Sequence, residues 1–200
     1  TGGSGEVLLH NLRMLDLDPS ALDAVVLSHG HDDHTGGLRA LLPSLTEGIP
    51  VHAHPTIFRE RFSAKSGELE RRGPAVERGE LAEVADLRLS EAPVEVVPGV
   101  WTTGEIIDRS APEGRSRHHF ILQDGEPVPD PYTDDLSLVI GPGEGRGFVV
   151  CGCCHAGLLN TLRHVQARRW PTIVGIAGGI HLVNAAAETQ AETLEALQAL

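Results

Sequence analysis

Residues 28–38 read SHGHDDHTGGL, and this stretch, the histidine loop, decides how the rest of the chain is interpreted. It follows an apolar run of strand type at residues 24–28 and leads into a helical stripe of leucines that begins at Leu38. Its polar side chains are therefore expected at the carboxyl end of a strand, where open α/β sheets form their sites. Three imidazoles and a carboxylate within six residues cannot all face a core, because each would need its own hydrogen-bond partner.

The residue types of the histidine loop are metal ligands. Zinc, iron and manganese all accept neutral imidazole and carboxylate. His29 and His31 can approach one metal from the same side of an extended loop, and Asp33 and His34 are then turned towards a second position. The loop therefore predicts a metal site, with a hydrogen-bonded surface loop as the alternative.

Composition excludes several classes of protein. The chain of 200 residues has 16 Lys and Arg against 28 Asp and Glu, and this net charge of −12 disfavours a nucleic-acid-binding surface. No apolar run approaches the ~18 residues that a membrane span needs. The three cysteines crowd into residues 151–154, where pairing with one another is difficult. We therefore expect reduced thiols in a cytoplasmic protein with neither a nucleic-acid nor a membrane partner.

The order of the predicted elements indicates a layered α/β architecture. Strand-like runs bunch in the middle of the chain, and helical stripes such as those at residues 8–15 and 158–165 flank them. No linker divides the chain, so a single domain over residues 1–200 is predicted. Residues 60–91 are polar and weakly periodic, which favours a lid or excursion over core.

Two histidines outside the loop are candidate site residues. His155 follows an apolar strand and opens a helix, whose amino terminus disfavours imidazolium and keeps the ring in its ligating form. A plain helix cap is the alternative. His181 follows the paired glycines 178–179 at a strand end, where it could reach the metal centre or donate to a substrate oxyanion. It could instead pin the turn by bonding to a backbone carbonyl.

Other polar segments are interpreted mainly as structure. His52 and His54 share one face of a strand, with His54 hydrogen-bonded near the site. The pair 118–119 could contact substrate, but a solvated loop is preferred. Glycines 2–5 favour a tight turn over a phosphate cradle. The arginine-rich residues 109–117 are a candidate anion contact.

The histidine loop resembles the signature of the metallo-β-lactamase superfamily. Further segments resemble the branch named for 7,8-dihydropterin-6-methyl-4-(β-D-ribofuranosyl)aminobenzene-5′-phosphate synthase. In chain order they are Thr1-Gly2, His10-Asn11, residues 100–106, residues 129–135, GCCHAG at residues 152–157 and GGIHL at residues 178–182. The resemblance spans the whole chain.

The resemblance implies an α/β protein with a metallo-β-lactamase-like αββα sandwich and two divalent metal ions between its sheets. The implied ligands are His29, His31 and His155 for one metal and Asp33 and His34 for the other. Zinc is the first assignment, with manganese or iron as alternatives.

The implied activity is hydrolysis by a metal-bound hydroxide, in the first instance of a phosphate- or pyrophosphate-bearing small molecule. Asp33 would orient that hydroxide. Asp135 is a candidate auxiliary ligand or base, with a solvated turn as the alternative. A pterin-type condensing synthase, a lactone or amide hydrolase, and a metal-binding protein without turnover are the alternative functions.

The chain also departs from the branch pattern. Family members carry a strand pair before the segment that Thr1-Gly2 matches, and a last strand whose histidine completes the second metal. Both ends of this chain look cut, so the fold is expected to lack its first strands and last strand. Cys154 stands where the branch usually has serine, which predicts a more oxidisable pocket.

Overall fold

The computed structural model describes residues 1–141, 145–168, 170, 172–183 and 185–198. The chain divides into two compact units. The first comprises Thr1–Leu89 and Arg117–Asp134, and the second comprises Ser90–Ser116 and Asp135–Leu200. The single domain predicted over residues 1–200 therefore stays a prediction. Among the helices of the described ranges, none is long and apolar enough to cross a bilayer.

Strands predominate in the middle of the chain, and the α-helices lie mainly before and after them. The helices are α1 (Gly5–Met14), α2 (Asp32–Thr35), α3 (Leu38–Leu41), α4 (Arg78–Val84), α5 (Leu158–Ala167) and α6 (Ala187–Gln198). The strands are β1 (Val25–Val26), β2 (Pro50–Ala53), β3 (Arg61–Ser63), β4 (Glu70–Arg71), β5 (Asp86–Leu89), β6 (Glu95–Val97), β7 (Val100–Thr102), β8 (His119–Gln123), β9 (Glu126–Pro129), β10 (Ser137–Ile140), β11 (Arg146–Cys151) and β12 (Thr172–Gly178).

A small parallel sheet in the first unit carries the histidine loop. Its strand order is β1-β2-β5, and both pairs are parallel. Helices separate these strands in sequence, as parallel connections require. Val26 of β1 pairs with His52 of β2, and the Leu27 amide then donates to the His52 carbonyl. The histidine loop therefore leaves this sheet at the carboxyl end of β1, as the sequence predicts.

A second sheet in the first unit is antiparallel, with the order β4-β3-β8-β9. Its central pair sets Ser63 of β3 opposite His119 of β8. His119 is therefore the first residue of a strand, and its position depends on a partner more than fifty residues earlier in the chain.

The second unit contains a five-stranded mixed sheet in the order β12-β11-β10-β7-β6. Only the pair of β11 and β12 is parallel, and α5 lies between these two strands in sequence. The core of this unit includes Val149 from β11 and the α5 residues Leu158, Leu162 and Val165. The predicted stripe of α5 is thus buried.

The stripe predicted for α1 has a different outcome. The helix forms over Gly5–Met14 and begins at Ser4, whose Oγ accepts a hydrogen bond from the Val7 amide. None of its residues is buried, and Met14 and the following Leu15 are 71% and 68% exposed. Leucines at helical spacing therefore predict this helix but not its burial.

The expectation that residues 60–91 lie outside the core is wrong for much of that segment. Val76, Leu81 and Ala85 belong to the core of the first unit, and β5 pairs with β2 along its whole length. Only a few apolar residues of this segment form its part of the core. The exposed residues between them obscure the periodic pattern in the sequence. The stretch at residues 66–72 is exposed, as an excursion would be.

Leu81→Ala is expected to lower the free energy of unfolding by about 2–5 kcal/mol, the usual loss for a buried leucine, because Leu81 is 0% exposed. Urea unfolding measures the loss. Leu69→Ala is the matched control at a 44% exposed leucine of the same segment, with an expected change within about 0.5 kcal/mol. Equal stabilities of the two variants would restore the lid interpretation.

Candidate metal centre

Three histidine rings converge in the histidine loop. The ring centroid of His29 lies 4.7 Å from that of His31 and 4.2 Å from that of His34. His29 Nε2 is 3.1 Å from His31 Nδ1, and Ser28 Oγ lies 3.1 Å from His29 Nδ1. His29 and His31 are buried, at 1% and 5% exposed. We call His29, His31 and His34 the histidine group. Their rings bring several imidazole nitrogens into one small volume.

His34 and Asp33 form the outer part of this loop. Burial lowers the pKa of His34, and the Asp33 carboxylate opposes that shift. The neutral form, which has a lone pair for a metal, is therefore favoured. Asp33 Oδ2 lies 3.7 Å from His34 Nε2, but the Asp33 side chain is 68% exposed. The structure thus sets Asp33 beside His34 at the solvent boundary.

A buried ion-pair network binds the backbone of the histidine loop at Gly30. Asp134 Oδ2 accepts a hydrogen bond of 2.7 Å from the Gly30 amide, between His29 and His31. Arg61 Nη2 pairs with Asp134 Oδ1 at 2.6 Å, and Arg61 Nε pairs with Asp130 Oδ2 at 3.0 Å. A Cβ at Gly30 would collide with the Ile57 carbonyl and the Arg61 guanidinium, so glycine is required at this close approach. Sequence reasoning missed Arg61, because it lies in the segment assigned to an excursion.

His119 also reaches the histidine group. Its ring centroid is 4.8 Å from that of His31, and the two rings are nearly perpendicular. Tyr132 Oη lies 2.9 Å from His119 Nδ1. The preference for a solvated loop at residues 118–119 is therefore wrong for His119. The two adjacent histidines are visible in the sequence, but the pairing of β3 with β8 decides which one faces inward.

His155 lies in the second unit, between the end of β11 at Cys151 and the start of α5 at Leu158. Its Nδ1–H donates to the Gly114 carbonyl at 2.9 Å, so the neutral ring carries its lone pair on Nε2. Gly114 has φ +85°, which favours glycine. Asp135 Oδ2 accepts a hydrogen bond of 2.8 Å from the Ala156 amide and is 1% exposed. The alternative of a solvated turn at Asp135 is therefore wrong, and this carboxylate supports the backbone beside His155.

The contacts of residues 109–117 involve backbone groups and the carboxylate of Glu113 as well as arginine side chains. Glu113 is buried, and its Oε1 accepts from the Leu159 amide at the start of α5. Asn160 binds both the amide and the carbonyl of Ala111. Arg109 Nε donates to the Ile106 carbonyl at 2.7 Å. The predicted anion contact of this segment stays a prediction, and its role in positioning Gly114 was not visible in the sequence.

His181 lies against His155. Their ring centroids are 4.4 Å apart, and His181 has φ +45°, in the left-handed region that non-glycine residues rarely adopt. Such strain persists only where the surrounding structure enforces it, and it often marks functional positions. His181, which follows the paired glycines 178–179, therefore lies beside the candidate ligand His155.

The predicted oxidisable pocket at Cys154 is contradicted. Cys154 is 0% exposed. Its hydrogen bond with Cys151, together with burial, raises the pKa of the Cys154 thiol well above its usual range. Oxidation requires an accessible thiolate, so this thiol is expected to be inert. All three cysteines are free thiols.

The remaining polar segments serve structure. His54 Nδ1 accepts from the Thr56 amide and so caps the turn at residues 55–58. Burial lowers the pKa of His52, which is 2% exposed in β2. The Gly2 carbonyl accepts from the Gly37 amide, and the tight turn at glycines 2–5 stays a prediction.

A sequence model of the metallo-β-lactamase superfamily matches residues 1–159. Because the match covers most of the chain, the protein belongs to the metallo-β-lactamase superfamily. A 7,8-dihydropterin-6-methyl-4-(β-D-ribofuranosyl)-aminobenzene-5′-phosphate synthase of Methanocaldococcus jannaschii is 29% identical over 210 residues, which cover 100% of this chain and 70% of the synthase. An uncharacterized protein of the same archaeon is 28% identical over 183 residues, or 91% of this chain and 66% of that protein.

A solved structure supports the same fold. A metal-dependent hydrolase of the β-lactamase superfamily superposes with a TM-score of 0.81 at 24% identity, covering 100% of this chain and 72% of that chain. The predicted metallo-β-lactamase-like α/β fold class and the family resemblance are confirmed.

Proposed function

We propose that the protein is a metal-dependent hydrolase that binds metal through the histidine group and His155. The observation that carries this proposal is the histidine group itself, in which His29 presents ring nitrogens within 4.8 Å of those of His31 and of His34. Imidazole nitrogens this close together, with His29 Nε2 and His31 Nδ1 only 3.1 Å apart, place several possible ligand atoms within reach of one ion. Membership of a superfamily that includes metal-dependent hydrolases supports the proposal.

The residues present suit a divalent transition metal. The bond from His155 Nδ1 to a backbone carbonyl is the arrangement typical of metal-ligating histidines, since it orients the ring and leaves Nε2 as the ligand atom. Zinc is our first assignment, and manganese or iron fit the same nitrogen and oxygen donors. When bound, such a metal lowers the pKa of a water molecule and polarises substrate oxygens.

We assign Asp33 and His34 to a second metal ion. Asp33 is largely exposed, so its carboxylate can turn onto an ion or orient the attacking water without breaking a buried contact. Asp135 would act by positioning His155 through the Ala156 amide, in addition to its proposed role as auxiliary ligand or base.

The substrate class that we propose is a phosphate- or pyrophosphate-bearing small molecule. The name of the synthase relative includes a 5′-phosphate, which supports this choice. The net charge of −12 argues against nucleic acid, and the free thiols support a cytoplasmic location. A condensing synthase acting on pterin precursors is the second candidate, favoured by 29% identity across the whole chain.

A substrate panel combined with elemental analysis tests this function. The metal-loaded protein is assayed with a phosphodiester, a phosphomonoester, a lactone and a lactam. Two bound metals with turnover of a phosphoester support the proposal. Turnover of only the lactone or lactam would show that the proposed substrate class is wrong. One tightly held metal without any turnover would show that the protein binds metal but is not a hydrolase.

His181→Gln is expected to retain bound metal and to lose roughly 10²-fold or more in turnover, as when a donor to a developing oxyanion is removed. The reason is its strained placement 4.4 Å from the His155 ring. Steady-state kinetics and elemental analysis provide the measurement. His164→Gln, a half-buried histidine of the same unit, is the control and should leave turnover unchanged. Unchanged turnover with a lower Tm in His181→Gln would assign this residue to structure.

A further inference from the structure

His119 is a histidine beside the histidine group that the function above does not use. The near-perpendicular contact with His31, at 4.8 Å between centroids, places its ring against a candidate metal ligand. The ring is half-buried, so it retains access to solvent. A partly accessible imidazole at the edge of a ligand group is a position from which a substrate atom can be contacted.

Tyr132 holds the His119 ring in one orientation. Its Oη lies 2.9 Å from His119 Nδ1, and the tyrosine is 1% exposed. A phenol O–H can donate a hydrogen bond to an imidazole nitrogen that carries a lone pair. When Nδ1 accepts this bond, the neutral imidazole carries its hydrogen on Nε2. In that tautomer, His119 is an N–H donor through its other nitrogen.

The backbone at Tyr132 is strained, and a buried network enforces the strain. Tyr132 has φ +49°, a genuine outlier for a bulky residue. Its amide donates to Asp130 Oδ1 at 2.8 Å, and Asp130 Oδ2 accepts from Arg61. A tyrosine needed only for packing would not require this conformation. Strain of this kind, maintained by surrounding bonds, clusters at functional sites.

We propose that His119 binds an anionic oxygen of the substrate through Nε2–H, and that Tyr132 is a positioning residue that fixes this donor. The proposal rests on the proposed function for the substrate's presence beside the histidine group. It narrows the substrate class to molecules that present an oxyanion there. In the tautomer that we propose, Nδ1 accepts from Tyr132, and His119 is a donor to substrate and not a further metal ligand.

Three variants of the metal-loaded full chain test the proposal: His119→Ala, His119→Gln and Tyr132→Phe. The readouts are metal content, the Kd of inorganic phosphate, and kcat and KM for a phosphodiester. His119→Ala should keep its metal and bind phosphate roughly 10- to 100-fold more weakly, as the loss of a hydrogen bond to a charged group predicts. His119→Gln should recover much of this loss, because its amide N–H can replace Nε2–H. Tyr132→Phe should lose less than His119→Ala, and His118→Ala is the control.

Several results would overturn the proposal. These are a wild-type protein that binds no phosphate, unchanged phosphate affinity in His119→Ala, loss of metal from that variant, or a glutamine variant no better than alanine. If His119→Ala weakens phosphate binding while the wild type turns over none of the panel, the hydrolase function fails and this proposal stands. If the wild type hydrolyses the phosphodiester and His119→Ala binds and reacts equally well, the function stands and this proposal fails.

Discussion

His29→Ala and His31→Ala are each expected to remove most of the bound metal. Both rings are buried, and His29 Nε2 lies only 3.1 Å from His31 Nδ1, so each loss takes a nitrogen from the centre of the histidine group. Removing even an outer partner of a metal ligand costs roughly 10–100-fold in metal affinity. The loss of a ligand itself should exceed this. Elemental analysis after exhaustive dialysis measures metal per chain.

His10→Ala is the matched control for these two variants. His10 is exposed on α1, away from the histidine group in the sequence, and its replacement should leave metal content unchanged. Thermal unfolding of the metal-free proteins separates loss of ligands from loss of fold. Full retention of metal in both His29→Ala and His31→Ala would exclude the site.

Arg61→Met is expected to lower the free energy of unfolding by about 3–5 kcal/mol, the usual cost of removing one partner from a buried ion pair. Arg61 is 1% exposed and pairs with Asp130 and Asp134. Burial raises the pKa of Asp134, and the Arg61 guanidinium opposes that rise. Without Arg61 the carboxylates must become protonated or the histidine loop must open. Urea unfolding measures the change, and metal affinity should fall with it.

Two comparisons make this prediction specific. Arg72→Met removes a 48% exposed arginine that pairs with Asp32 and Glu70, and it should cost no more than about 1 kcal/mol. Changing Arg61, Asp130 and Asp134 together to neutral residues should recover part of the stability lost in Arg61→Met, because no uncompensated charge remains buried. Equal losses for Arg61→Met and Arg72→Met would show that the network does not stabilise the loop.

The candidate ligands could be predicted because their pattern is local. The strand, the histidine loop and the following helix are consecutive in sequence, and His29, His31 and His34 fall within six consecutive residues. The same holds for His155, which lies in the short segment between the end of β11 and the start of α5. Local patterns of this kind determine both the residue types and the end of the sheet at which they lie.

The structure of residues 60–91 could not be predicted from a local sequence pattern. Their strands are short, and β3 and β5 are stabilised by partners elsewhere in the first unit, namely β8 and β2. Arg61 in particular looks like a surface arginine until Asp130 and Asp134 are placed beside it. A charged residue carries no periodic signal that distinguishes a buried ion pair from a solvated side chain.

The sequence by itself determined the superfamily, the residue types of the candidate metal ligands and the position of the histidine loop at the end of a strand. The tertiary structure alone decided what holds those ligands in place. The Gly30 amide is bound by Asp134, 104 residues away, and His119 faces His31 only because β8 pairs with β3. The physical reason is that ligand identity is a property of neighbouring residues, whereas ligand orientation depends on buried hydrogen bonds between segments that only folding brings together.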